Sequence, residues 1–142
     1  MKHLLLASGL LMTSALGAQV TDLENLTTPR SGHQMVQLPD ATMLTAGDWT
    51  GEGYINSAEV YNGDTWEAVD PMSVNRYSFN LLVAGGSAIV IGGWDGDFTN
   101  HATTEIYNAE FGVWEAGPIL TGGRSNCRSV VMADGRVLVT GG

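Results

Sequence analysis

The chain repeats itself. Arg30, Arg76 and Arg124 recur at intervals of about 46–48 residues, and three further sets recur in step with them. These are Gly47, Gly93 and Gly142; the pairs Glu59/Tyr61 and Glu105/Tyr107; and Trp66 and Trp114. A period of this size marks a supersecondary unit that cannot bury its apolar face alone and must stack on copies of itself. Arg30 to Gly47 and Arg76 to Gly93 each span 17 residues, and length differences fall in turns, such as Asp134-Gly135, a hairpin dipeptide.

Within one repeat the runs are short and rich in β-formers. After Arg76 come Ser78–Ala84, the turn Gly85-Gly86-Ser87, the apolar run Ala88–Ile91 closed by Gly92-Gly93, a polar loop over Asp95–Ala102, the alternating segment Thr103–Asn108, and Val113–Ala116. Gly, Asp, Asn and Pro clusters between such runs are strand-and-turn punctuation. No stretch after the N-terminal segment carries a 3.6-residue period, so the fold class is all-β. The second strand of each unit, Thr42–Thr45, Ala88–Ile91 and Val137–Thr140, is nearly continuously apolar, as a strand covered on both faces requires. Radially stacked four-stranded sheets supply those two covers.

The order arginine, apolar strand ending in Gly-Gly, loop, Glu-x-Tyr-Asn and then Trp resembles the kelch motif. Gly92-Gly93, Glu105-Ile106-Tyr107-Asn108 and Trp114 match it throughout. Ala46-Gly47, Glu59-Val60-Tyr61-Asn62 and Trp66 match with Ala46 in place of the first glycine, and Gly141-Gly142 matches the front half. The resemblance covers roughly residues 30–142 and implies an incomplete kelch-type β-propeller: two full four-stranded blades, half of a third, and an N-terminal closing strand. Val20–Leu26 falls at the phase of a fourth strand and is the expected closing strand, sealing a ring that leaves no sheet edge. A ring takes about four to eight blades, so the sequence is expected to be a piece of a longer chain.

Met1-Lys2-His3, the apolar run Leu4–Met12 and the small residues up to Ala18 read as a secretory signal peptide over residues 1–18, ahead of a partial propeller domain over 19–142. The apolar run is too short to span a bilayer, so no membrane span is expected after cleavage, and the expected location is secreted, or periplasmic in a bacterium. Removing the leader removes Lys2, leaving five arginines against fifteen acids. A surface this acidic repels phosphate backbones and excludes nucleic acid as a partner. Asn25-Leu26-Thr27 is a glycosylation sequon.

Candidate ligand-binding residues are Arg30, Arg76, Arg124, Trp49 and Trp94. The arginines precede the first strand of each unit and admit two readings. They form a ring of cations at a pocket mouth, suited to carboxylates, or each donates to loop carbonyls of the adjacent blade. Trp49 and Trp94 either present aromatic faces to a sugar or peptide, or pack the blade end. Asp95, Asp97, Thr99 and Asn100 offer oxygen atoms, but without the offsets of a calcium loop, so a solvated loop is expected and no metal site is assigned. Glu59 and Glu105 are paired by phase, not proximity, and are expected to bond within their own blades. His33 and His101 have no ligand or triad spacing.

Cys127 is the one cysteine, so no internal disulfide is possible. It lies three residues after Arg124, in the phase of His33 and Phe79, which places it on the innermost strand. Cys127, Asp134-Gly135 and the strand end Gly141-Gly142 resemble galactose-oxidase-like copper-radical enzymes, in which such a cysteine is cross-linked to a copper-binding tyrosine. Asn126 stands where those enzymes carry an aromatic residue, and their copper ligands would fall beyond residue 142. The alternative is a buried, inert thiol.

Two functions follow. The first is a secreted kelch-repeat propeller that binds an extracellular protein or glycan through its loops, with no cofactor. The second is an extracellular copper-radical oxidase with Cys127 as its catalytic cysteine and copper as its cofactor.

Overall fold

The computed structural model describes Asp22 and residues 25–142. The leader expected at residues 1–18 lies outside the described residues, as does most of the closing strand expected at Val20–Leu26; Asp22, Asn25 and Leu26, which are described, belong to no strand.

Ten strands and no helix are present among the described residues. The first sheet is β1 (Gln34–Gln37), β2 (Met43–Trp49), β3 (Tyr54–Tyr61) and β4 (Trp66–Val69), paired in that order. The second repeats the pattern with β5 (Asn80–Ala84), β6 (Ser87–Ile91), β7 (Thr104–Asn108) and β8 (Val113–Ala116). The third holds β9 (Arg128–Val131) and β10 (Val137–Thr140). Every pairing is antiparallel. The first strands β1, β5 and β9 sit side by side, as blades of a kelch-type propeller require.

The apolar residues between the first two sheets form one core. Val36, Leu44, Ala46, Ala58 and Val60 come from the first sheet, and Leu81, Val83, Ala88, Val90 and Tyr107 from the second, with Met72 and Phe79 from the connection. Leu44, Ala46, Ala88 and Val90 are wholly buried.

Polar side chains fix one sheet against the next. The Gln34 amide lies along β5: Nε2 donates to the Phe79 carbonyl and Oε1 accepts from the Leu81 N–H at 2.8 Å. Asn80, at the same position one unit on, donates from Nδ2 to the Cys127 carbonyl at 3.0 Å. Satisfying inner-strand backbone groups in this way removes the cost of burying them unpaired.

The register corrects one sequence alignment. Thr45 faces Glu59 and Val90 faces Glu105, so Gly47-Asp48 is the partner of Gly92-Gly93, not Ala46-Gly47. Backbone angles agree: φ is 65° at Gly47, 63° at Gly92 and 75° at Gly141, then 84° at Asp48, 101° at Gly93 and 99° at Gly142. The β1–β2 and β9–β10 hairpins have five-residue turns, Leu38–Thr42 and Met132–Arg136, whereas β5–β6 turns on Gly85-Gly86 alone; the shorter connection shifts the count by one.

Glycine is required at the first of these positions. A Cβ on Gly47 would stand 2.8 Å from the Arg76 carbonyl oxygen, and one on Gly92 would collide with the Arg124 carbonyl oxygen. These carbonyls accept the next N–H of the strand end, Asp48 to Arg76 at 2.9 Å and Gly93 to Arg124 at 2.7 Å, tying each sheet to its successor. Gly92→Ala is therefore expected to cost clearly more than Gly85→Ala, which shares a positive φ but has nothing within 4 Å of its added Cβ. Positive-φ strain alone is about 1–3 kcal/mol. Urea unfolding of the two variants measures the difference, and equal losses would show that the approach to Arg124 carries no cost.

Candidate functional site

The recurring motif residues have separate jobs. In Glu-x-Tyr-Asn, the tyrosine lies directly opposite the recurring tryptophan: Tyr61 faces Trp66 and Tyr107 faces Trp114, with ring centroids 5.3 and 5.1 Å apart. Cross-strand aromatic pairs of this kind stabilise a sheet. The asparagine closes the following turn. Asn62 Oδ1 accepts from the Asp64 and Thr65 amides, and Asn108 Oδ1 from the Glu110 amide. Their Nδ2 groups donate to Glu67 and Glu115, both at 2.8 Å.

The glutamate binds the arginine. Arg30 Nη2 lies 2.6 Å from Glu59 Oε1 and Arg76 Nη2 lies 2.8 Å from Glu105 Oε1, with both guanidiniums fully buried. Arg30 also donates from Nε to the Thr28 carbonyl, from Nη1 to the Gly47 and Ser57 carbonyls, and from Nη2 to the Ser57 hydroxyl. Arg76 donates from Nη1 to the Gly92 and Thr103 carbonyls, from Nη2 to the Thr103 hydroxyl, and from Nε to Glu105. A guanidinium has five N–H donors, and five bonds engage them in each case. The arginines thus turn into their own sheet rather than to an adjacent one, and Arg30 and Arg76 have no donor left for a carboxylate ligand. Arg124 has the same first contact, Nη1 to the Gly141 carbonyl at 2.7 Å, but no carboxylate meets it among the described residues.

The other side of each glutamate holds the segment before the arginine. Glu59 Oε2 accepts from the Thr27 amide and hydroxyl, both at 2.7 Å, and Oε1 from the Thr28 amide at 3.1 Å. Glu105 Oε2 accepts from the Ser73 amide at 2.8 Å. Burial pushes the Glu59 carboxyl up, but the Thr27, Arg30 and Thr28 hydrogen bonds together outweigh it and leave the pKa below the ordinary value.

The loops above these clasps carry aromatic residues. Trp49 and Tyr54, at the end of β2 and the start of β3, have centroids 4.8 Å apart. Tyr54 also packs on Tyr77 at 5.2 Å and on Trp94 at 5.1 Å, from the next unit, and Tyr77 and Trp94 are 6.3 Å apart. The backbone at Gly96 covers the Tyr54 ring, which a Cβ there would overlap. Tyr54 is therefore the hub, while Trp49, Tyr77 and Trp94 are half-buried around it.

Two equivalent clefts open along this rim. Ser31, Gly32, Trp49, Tyr54 and Tyr77 line one of about 260 Å³. Tyr77, Ser78, Trp94, Asn100, Ser125 and Asn126 line the other, about 280 Å³. Tyr77 belongs to both. The residue two after each arginine takes a left-handed backbone, with φ of 76° at Gly32, 52° at Ser78 and 53° at Asn126. Non-glycine residues held in this region often mark functional rims. Tyr54, Tyr77 and Ser78 are not among the candidates read from the sequence; the repeat phase that makes Ser31, Tyr77 and Ser125 equivalent is the signal that marks Tyr77.

Asp48, where the second and third units have glycine, is 2% exposed. Burial pushes its carboxyl above the usual range, while the Trp49 amide, which donates to Oδ1 at 2.9 Å, and the charges of His33 and Arg30 pull it down. The Asp95 carboxylate serves its own loop, accepting from the Asp97 and Thr99 amides at 2.8 and 3.3 Å. His101 Nε2 lies 3.2 Å from the Asn75 carbonyl oxygen, and His33 Nδ1 is buried without a partner. Among the described residues no three of His, Cys, Asp and Glu converge to hold a metal ion.

Cys127 is buried just before β9. Its Sγ accepts from Asn80 Nδ2 at 3.0 Å. The thiol lies at the contact between β5 and β9.

No protein-family model matches the chain. An F-box/kelch-repeat protein of Arabidopsis thaliana is 34% identical over 79 residues, which is 56% of this chain and 17% of that protein. A solved fungal alcohol oxidase of the AA5 family, in complex with copper, superimposes with a TM-score of 0.64 at 20% identity, over 74% of this chain and 26% of the oxidase. The fold is kelch- and galactose-oxidase-like. The chain spans under a fifth of the curated relative and about a quarter of the solved structure. No helix among the described residues is long and apolar enough to cross a membrane.

The two unusual carboxylates have opposite pH signatures. Glu59, with a lowered pKa, adds stability above its unfolded value of about 4.3 and loses it as pH falls through the folded pKa. Asp48, with a raised pKa, costs stability as pH rises from about 3.9 through the folded pKa. Asp48→Asn is expected to be more stable than the parent at pH 7, with the gap closing below about pH 3.9. Glu59→Gln is expected to be less stable at pH 7. Denaturant midpoints across pH check both signs, and an Asp48→Asn chain less stable at pH 7 would contradict the reading.

Proposed function

We propose that this chain is part of a secreted, kelch-type propeller that binds a neutral glycan on the rim formed by Trp49, Tyr54, Tyr77 and Trp94. The observation that carries the reading is the continuous aromatic run across the boundary between the first two sheets, open at two clefts. Half-buried Trp and Tyr faces stack on the apolar faces of sugar rings. Ser78, Asn100, Ser125 and Asn126 add uncharged donors and acceptors suited to hydroxyls. A net charge of −9 disfavours acidic ligands. The N-terminal leader pattern supports an extracellular location. Of the sequence-derived candidates, Trp49 and Trp94 serve this rim, whereas Arg30 and Arg76 support the sheets beneath it.

The oxidase reading rests on the AA5 fold likeness and on the phase of Cys127. Against it stands the engagement of the thiol by Asn80. The aromatic rim is the better supported site.

Tryptophan fluorescence titrated with a panel of neutral oligosaccharides and neutral peptides tests the glycan reading. Saturable quenching by an oligosaccharide is expected, weakened about tenfold by Trp49→Ala or Tyr77→Ala, which is roughly 1.4 kcal/mol. Binding of peptides alone, or glycan binding untouched by both variants, would overturn it.

A further inference from the structure

A cavity of about 270 Å³ lies between the two four-stranded sheets, at the end remote from the aromatic rim. Leu38, Val60, Val69 and Tyr107 give it apolar walls. Asp40 and Glu67, both exposed, stand at its mouth. Tyr107 is 3% exposed, and its ring is held by Trp114, yet its hydroxyl makes no hydrogen bond among the described residues. That hydroxyl is aimed into the cavity. A Cβ on Gly112 would stand 3.9 Å from both the Tyr107 hydroxyl oxygen and Val69 Cγ1, and Gly112 and Val69 line the same space. Buried polar groups are nearly always paired, so an unpaired one inside a cavity points to a ligand atom.

The charges around it are of one sign. Asp40 Oδ1 accepts from the Thr42 hydroxyl at 2.7 Å and the Thr42 amide at 3.0 Å, bonds that hold its pKa below the ordinary value and keep it ionised at neutral pH. Glu67 Oε1 accepts from Asn62 Nδ2 at 2.8 Å. Neither carboxylate meets a cation among the described residues. Burial, then the charges of Asp40 and Asp70, push the Tyr107 phenol up, so it stays protonated.

We propose that this cavity binds a short alkylammonium group, the chemistry shared by a lysine side chain and a small primary amine. The carbon stem lies on Leu38, Val60 and Val69. The ammonium has three donors, and it meets three acceptors: the Tyr107 hydroxyl oxygen, Asp40 and Glu67. Charge-assisted bonds of this kind are the strong ones. The apolar walls favour an organic cation over a metal ion, which takes about six oxygen ligands. A net charge of −9 attracts such a cation and repels anions.

The test is isothermal titration calorimetry of the full chain with n-butylammonium, which is a lysine side chain without its backbone, and with butan-1-ol as its neutral match. Saturable one-to-one binding of the amine is expected, at least about tenfold tighter than the alcohol. Asp40→Asn and Tyr107→Phe should each weaken it about fivefold. Asp40 is exposed, so its change decides the matter even where Tyr107→Phe disturbs the core. Nα-acetyl-lysine amide separates the two sources: binding tighter than butylammonium assigns the cavity to a peptide lysine, and weaker binding assigns it to a small amine. Equal affinity for amine and alcohol overturns the proposal. So does a failure to saturate, or amine binding untouched by both variants.

Discussion

Each four-stranded sheet depends on a buried arginine gripping a buried glutamate. Arg30 and Arg76 come from the connection before a sheet, and Glu59 and Glu105 from its third strand. The pair therefore fixes where the chain enters each unit. Neither charge is tolerable alone in such a place, since desolvation of an unpaired ion costs several kcal/mol. The remaining donors and acceptors are spent on main-chain groups at sheet ends, where regular strand pairing has stopped. The clasp thereby satisfies backbone that would otherwise be buried unpaired.

That arrangement separates support from recognition. The carbonyls of Arg76 and Arg124 receive the strand-end amides of the preceding sheet, so one residue ties its own sheet by its side chain and the previous sheet by its backbone. The next two residues then turn outward through a left-handed conformation and line the clefts. Tyr77 and Ser78 are presented at the rim because Arg76 is anchored below them. A rigid base with side chains on loops above it is a common way to build a binding face.

Much of the fold was legible in the sequence. The Arg, Gly, Glu, Tyr and Trp phases gave the unit, and Val113–Ala116 and Val137–Thr140 are strands with the bounds read from pattern. The Gly-Gly alignment of the first unit was not legible, because Asp48 occupies a positive-φ site that residue type alone assigns to glycine. Register, not spacing, identifies it. The blade-to-blade role of Gln34 and Asn80 was equally hidden. Both residues look like ordinary polar strand positions until the neighbouring inner strand is in place. The two roles open to the arginines could not be separated by spacing, since a cation at a loop end serves a ligand or a carbonyl with the same sequence signature. Burial and a complete set of five donors decide for Arg30 and Arg76.

The central claim is that the recurring Arg–Glu pair holds each sheet together. Its most direct measurement is a double-mutant cycle on Arg76 and Glu105, read by urea unfolding. Arg76→Met and Glu105→Leu are each expected to cost about 3–5 kcal/mol by leaving a buried charge alone. The double variant should cost well under their sum, with a coupling of at least about 2 kcal/mol. Additive losses, with coupling near zero, would contradict the account.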